Sequence, residues 1–111
     1  AVRHRRAVIP AAWFYEWDRS KQKHIFYRES GAPLFMAGCY RKYDEGDRFV
    51  ILTTQANASM EPVHDRMPLI LEREEAVAWL LENDAAEGLL QKSPPLLVRR
   101  TEYEQLRFPG I

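Results

Sequence analysis

The sequence predicts an α+β fold: a mostly antiparallel, partly barrel-like sheet with a few short helices toward the C-terminus. Three observations carry this expectation. Runs of β-branched and aromatic residues, separated by Gly, Pro, Ser and Asp, fill the chain up to Leu71. Segments with helical character follow only after Leu71, so the two kinds of element are segregated rather than alternating. The 111 residues are 46% hydrophobic, enough for one core and one domain spanning 1–111.

Taken in order, Val8-Ile9 and Trp13-Phe14-Tyr15 are rich in strand formers, with Pro10 as a local break. Ile25-Phe26-Tyr27 reads as a further strand, and Ser30-Gly31-Ala32-Pro33 as a turn. Leu34 to Tyr40 is an apolar run of strand length with Gly38 inside it, followed by a turn at Asp44-Glu45-Gly46-Asp47. Phe49 to Thr54 is the strongest strand signal, continuous enough to be buried on both faces. Met67 to Leu71 is a shorter strand. Glu72 to Leu81 opens with acidic residues, which suit a helix N-terminus, and its apolar stripe is Val77, Leu80 and Leu81. Asp84 with Glu87 forms a capping-box pattern for a second helix through Leu90. Ser93-Pro94-Pro95 ends it, Leu96-Leu97-Val98 reads as a final strand, and Phe108 to Ile111 as a loose tail.

Charge and composition narrow the function classes. Sixteen basic and sixteen acidic residues cancel, so bulk charge supplies no argument for nucleic acid. The distribution is less even: Arg3, His4, Arg5 and Arg6 open the chain, and acids gather from Glu72 to Glu87. Cys39 is the single cysteine, so no internal disulfide forms, which fits a reducing cytosol. No apolar run approaches the roughly 18 residues of a membrane span, and no signal peptide is visible. His4, His24 and His64 lack metal-ligand spacing, and there is no Gly-rich phosphate loop, so neither a metal nor another cofactor is expected.

Two segments carry the chemistry, Phe14-Tyr15-Glu16-Trp17 and His64-Asp65-Arg66-Met67-Pro68. Aromatic rings packed around a carboxylate disfavour its charged form, and imidazole is the side chain that ordinarily titrates near neutrality. Glu16 and His64 are therefore the groups best suited to move protons. Each has a plainer reading, Glu16 as a sheet-edge carboxylate paired with an arginine and His64 as a hydrogen-bonded structural histidine. Arg66 is a candidate phosphate ligand or a salt-bridge partner of Asp65 or Glu61. Thr53, at a strand end, offers a hydroxyl to a phosphate or is simply a β-former. Trp17 stacks on a base or sugar, or is a core ring. Asn57 reads as a turn former. Cys39 suggests a thiol peptidase, but it lies in the apolar Ala37-Gly38-Cys39-Tyr40 stretch, where a free cysteine is a small buried hydrophobe.

Four ordered blocks resemble one family, the SOS-response-associated peptidases (SRAP). They are Arg6 to Trp17, Phe35-Met36-Ala37-Gly38, Ile51 to Asn57, and His64 to Leu71. The resemblance covers the C-terminal half to two-thirds of a member. Family members shield abasic sites in single-stranded DNA by a covalent link through an N-terminal cysteine, whose α-amine and thiol attack the abasic aldehyde. The resemblance implies that Glu16 takes or shuttles the amine's proton and that His64 acts on the deoxyribose. Beside these, Thr53, Arg66 and Trp17 stand as the candidate DNA-binding residues, with single-stranded abasic DNA the implied partner and a cytoplasmic or nucleoid location expected. This chain opens Ala1-Val2-Arg3-His4, without the cysteine or the upstream asparagine motif, and is expected to be a fragment or processed chain. Arg99 to Tyr103 does not reproduce the family's pattern after its last strand. Three readings stand: an abasic-site crosslinking protein, a single-stranded-DNA-binding module without catalysis, and a thiol autopeptidase. The crosslinking reading carries associated autopeptidase and lyase-type activity.

Overall fold

The computed structural model describes residues 5–101. Its strands are β1 (Arg6–Ala11), β2 (Phe14–Trp17), β3 (Lys23–Tyr27), β4 (Leu34–Tyr43), β5 (Gly46–Ile51), β6 (Thr53–Gln55), β7 (Arg66–Pro68), β8 (Ile70–Leu71) and β9 (Val98–Thr101), with helices α1 (Arg73–Leu81) and α2 (Asn83–Leu89) between β8 and β9. The expected Ala1, Arg3 and His4 features and the Phe108–Ile111 tail lie outside the described residues.

The long apolar run from Leu34 makes β4 the central strand. β1 pairs with it antiparallel from Arg6↔Cys39 to Ala11↔Leu34, and β5 from Gly38↔Ile51 to Tyr43↔Gly46. β8 takes the remaining stretch of β4 at Phe35↔Leu71 and Met36↔Ile70. The other sheets are β2-β3-β9 and β6-β7, all antiparallel. The fold is α+β as expected, but the sheets stay open and do not close into a barrel. Pro10 does not break β1. That strand lies at the edge of its sheet, where a residue without an N–H is tolerated.

Side chains of β4 alternate between two cores, as a period of two requires. Leu34 and Met36 enter one core with Phe26, Met60, Val63, Met67, Ile70 and Leu97. Ala37 and Cys39 enter the other with Leu69, Leu71, Ala76, Trp79 and Ala86. The first core lies between the β4 and β2-β3-β9 sheets, and the second between the β4 sheet and the helices. Burial pushes the Cys39 thiol up, so it is a packing residue rather than a nucleophile.

The expected strands Phe49–Thr54 and Met67–Leu71 are each interrupted by one residue. Leu52 N–H donates to the Ala37 carbonyl (3.0 Å), Ala37 N–H to Leu69 (2.9 Å), and Leu69 N–H to Leu52 (2.9 Å). At this three-way junction the chain that pairs with β4 through β5 changes partner and continues as β6 against β7. Burial of β5 on both faces is not what is found. Phe49, Val50 and Ile51 are 43%, 59% and 38% exposed. None of the β5 residues joins either core, so neither face of the strand is covered.

The helix after Glu72 forms with Glu72 as its N-cap, whose N–H donates to Glu75 Oε1 (2.8 Å). Its buried face is Ala76 and Trp79, not Val77, Leu80 and Leu81, which are exposed. The reason is one anchor: Trp79 Nε1–H donates to the Ala7 carbonyl (3.0 Å), and Arg6 Nε–H of the same strand donates to the Trp79 carbonyl. α2 begins at Asn83 with Glu82 as N-cap, so Asp84 lies inside the helix rather than capping it. Arg28, just past β3, donates a fork to Glu72 (2.8 and 3.3 Å) and holds that carboxyl below the usual glutamate range.

Gly38 is required by a close approach. A Cβ there would lie 2.7 Å from the Phe49 ring and 2.7 Å from the Val50 carbonyl oxygen. The ring can turn away, but the backbone oxygen moves only if β5 shifts. Gly38→Ala is expected to cost about 1–3 kcal/mol, read as a lowered urea midpoint. An unchanged midpoint would show that β5 is not seated against β4 as described.

Candidate nucleic-acid and acid–base site

Of the expected site residues, Glu16 and Trp17 lie on β2, Thr53 on β6 and Arg66 on β7, and His64 lies on a loop; two loops frame them. The first joins β2 to β3 and is built by Asp18. Asp18 Oδ1 accepts from Ser20 N–H (2.9 Å) and Gln22 N–H (3.0 Å), and its carbonyl accepts from Lys21 N–H (3.0 Å). Asp18 Oδ2 accepts from His24 Nε2 (2.8 Å). Lys21 takes a left-handed conformation (φ 64°), which a turn this tight imposes. The hydrogen bond from His24, then that from Gln22, holds the Asp18 carboxyl below its usual range.

The second loop runs from Asn57 to Asp65 and is closed at its base by Ala56 N–H donating to the Asp65 carbonyl (2.9 Å). Asn57 organises it, as a turn former: Oδ1 accepts from Ser59 N–H (3.0 Å), and Nδ2 donates to the Pro94 and Pro95 carbonyls (2.9 and 3.0 Å). Met60 and Val63 anchor the loop in the first core. These constraints set His64 on the surface, where its Nδ1 accepts from Arg66 N–H (3.1 Å). The neutral ring in this geometry carries its proton on Nε2. The same Nδ1 lies 3.3 Å from Asp65 Oδ1, a partner it can donate to only once the ring is doubly protonated.

The two loops face each other across a cleft lined by Trp17, Asp18, Glu61, Val63, His64 and Asp65, among others. Trp17 is not a core ring. It is half exposed, meets Tyr15 edge-on at 5.0 Å between centroids, and lies under the Lys23 ammonium at 5.7 Å. Tyr15 and Trp17 point away from the core, whereas Phe14 stacks on Phe26 at 5.2 Å inside it. Glu16 shares the core-facing side with Phe14, so the Tyr15 and Trp17 rings do not enclose its carboxylate.

Thr53 and Arg66 do meet. The Arg66 guanidinium donates to the Thr53 carbonyl (2.9 Å) and hydroxyl (3.2 Å), across the β6-β7 pair. Both side chains are exposed. The alternative bridge to Asp65 or Glu61 is not the arrangement described.

Asp18 and His24 escaped the sequence reading as site residues. The only available signal was the hairpin register, which sets His24 opposite Glu16. Among the described residues, no group of three or more His, Cys, Asp or Glu could hold a metal ion, and no helix is long and apolar enough to cross a membrane.

Asp18 gives a pH test. Its carboxyl is depressed in the folded chain, so its stabilisation is present above the unfolded value and is lost as pH falls through the folded one. Asp18→Asn is expected to be less stable than the parent at neutral pH, with the gap closing in acid. Denaturation midpoints across pH measure this, and a gap that persists unchanged into acid would contradict it.

Comparison with known proteins supplies the relationship. Residues 1–107 match the family described as SOS response associated peptidase (SRAP). Abasic site processing protein YedK of Escherichia coli is 36% identical over 84 residues, covering 69% of this chain and 38% of that protein. Abasic site processing protein YoqW of Bacillus subtilis is 39% identical over 101 residues, covering 78% of this chain and 45% of that protein. This chain thus spans less than half the length of these curated relatives. A crystal structure of a Bordetella bronchiseptica protein superposes with a TM-score of 0.78 at 28% identity, covering 90% of this chain and 56% of the other. One from Bacteroides thetaiotaomicron superposes over 99% of this chain and 55% of its own, with a TM-score of 0.77 at 24% identity. On the strength of the family match, the chain belongs to the SOS response associated peptidase family.

Proposed function

We propose that this chain is the acid–base and DNA-facing portion of an abasic-site processing protein. The observation that carries the reading is the cleft in which an exposed tryptophan, Trp17, faces the surface imidazole of His64. Glu16 precedes Trp17 on the opposite face of β2, and the Thr53–Arg66 pair lies on β6 and β7 outside the cleft lining. Trp17 offers a flat face for a base or sugar. Arg66 and Thr53 offer donors to a phosphate, although Arg66 must share or release its bonds to Thr53 to do so. The names of the relatives, which are abasic site processing proteins, support the substrate class.

An aldehyde is attacked by a neutral amine, so imine formation needs a base at the amine. Glu16 is the carboxylate for that step, and His64, whose neutral ring carries its proton on Nε2, is the donor for opening the sugar ring. In this reading the amine and thiol belong to the family's N-terminal cysteine, and single-stranded DNA bearing abasic sites is the partner.

Joined to an upstream segment bearing that cysteine, Glu16→Gln and His64→Ala should each slow single-turnover crosslinking by about 10²–10⁴, with DNA binding retained. Unslowed crosslinking in both would make the two residues structural. For binding, Arg66→Ala should weaken affinity for single-stranded DNA more than Arg41→Ala, at the exposed end of β4. It should also reduce the salt slope by about 0.7. Fluorescence anisotropy across a salt series measures both, and equal losses would contradict the assignment.

A further inference from the structure

His24 is the buried polar side chain among the described residues, 7% exposed, and only half of its hydrogen-bonding capacity is used. Nε2 bonds Asp18 Oδ2 at 2.8 Å, while Nδ1 is buried with no partner. A carboxylate can only accept, so Nε2 carries the hydrogen and Nδ1 presents a bare lone pair. An orphaned buried polar atom calls for an explanation, since most such atoms are paired.

The hairpin register supplies one. Glu16 is the residue directly opposite His24 in the β2-β3 pair, with both side chains on the core-facing side of the sheet. Directly opposed residues have Cβ atoms about 4.5–5.5 Å apart, within reach of a glutamate side chain. The Glu16 carboxylate accepts from Trp17 N–H at 3.3 Å, so it must turn inward to meet Nδ1. Thr101 of β9 lies opposite His24 on its other side, with Arg99 opposite the neighbouring Phe26. Phe14 and Phe26 flank the pair as apolar walls. Across the cleft from Asp18 stand Glu61, Asp65 and His64.

We propose that His24 is a positioning residue that takes up, on Nδ1, the proton that Glu16 accepts. This rests on the reading of Glu16 as the base. The proton leaves the substrate-side ammonium for the Glu16 carboxylate and passes to His24 Nδ1. Glu16 returns to its carboxylate form, and the imidazolium lies between the Glu16 and Asp18 carboxylates. The trio goes from two negative charges to one, and no other co-reactant is needed. Asp18 fixes the tautomer by holding Nε2–H, as an acid behind a catalytic histidine does.

The test is a nitrogen-15 NMR titration of the 111-residue chain, following both ring nitrogens of His24. Glu16→Gln replaces a carboxylate by a neutral amide of the same shape, so the doubly protonated pattern of His24 is expected at lower pH than in the unsubstituted chain. Glu45→Gln, in the turn between β4 and β5, is expected to leave it in place. Glu16→Asp keeps the charge but shortens the reach, and is the second variant should Glu16→Gln lose the dispersed spectrum of a folded chain. It is expected to show a smaller displacement in the same direction. A His24 pattern at the same pH in the unsubstituted chain and in the folded Glu16 variants overturns the proposal. Crosslinking by the Glu16 variants, followed separately, distinguishes the two claims. Slowed crosslinking with an unmoved His24 leaves Glu16 as the base and removes His24. A displaced His24 with unslowed crosslinking removes the reading on which the proposal rests, and the proposal with it.

Discussion

Three backbone hydrogen bonds, linking Ala37, Leu52 and Leu69 in a ring, are the constraint on which the rest of the molecule depends. Each residue gives its N–H to one neighbour and its carbonyl to the other. The ring lets the 46–55 segment leave β4 after β5 and join β7 as β6. It lets the 66–71 segment make the reverse exchange, from β6 to β4. Ala37, Leu69 and Leu52 also pack in the core beneath the helices, so the junction is held by apolar burial as well as by hydrogen bonds.

The candidate site follows from that exchange. Thr53 begins immediately after Leu52, and Arg66 to Pro68 end immediately before Leu69. The junction therefore fixes the register that brings the Arg66 guanidinium to Thr53. The loop between these strands, closed by Ala56 and Asp65 and pinned by Asn57, Met60 and Val63, carries His64. On the other side, Phe14 and Phe26 seat the β2-β3 hairpin in the same core as Met60 and Val63. One core thus sets both walls of the cleft, which is how residues as distant in sequence as Trp17 and His64 come to face each other.

The segregation of strands from helices and the buried Cys39 were legible in the sequence, because composition and period-two alternation act locally; the split of the interior into two cores across β4 was not. So was the family, and its match extends to residue 107, past the last block that resembles it. What was misread depends on neighbours that no local pattern reveals. Phe49-Val50-Ile51 looks like a strand covered on both faces, but cover requires neighbours and no β5 residue joins either core. Val77, Leu80 and Leu81 outweigh Ala76 in hydrophobicity, yet the Trp79 bond to Ala7 rolls the helix onto its smaller face. Asp84-x-x-Glu87 has the spacing of a capping box, but the reciprocal bond forms at Glu72 and Glu75. Glu16, Thr53, His64 and Arg66 are candidates that the motif blocks single out, whereas Asp18 and His24 become visible only once the hairpin is paired.

Hydrogen exchange, measured residue by residue with and without single-stranded DNA carrying a tetrahydrofuran abasic analogue, tests this account most directly. The account predicts that the amides of Ala37, Leu52 and Leu69 exchange as slowly as the β1-β4 ladder and are unaffected by DNA, while those of residues 18–22 and 60–66 gain protection when DNA binds. Exchange of Leu52 and Leu69 at loop rates, or protection on the exposed face of β5 instead of the two cleft loops, would contradict it.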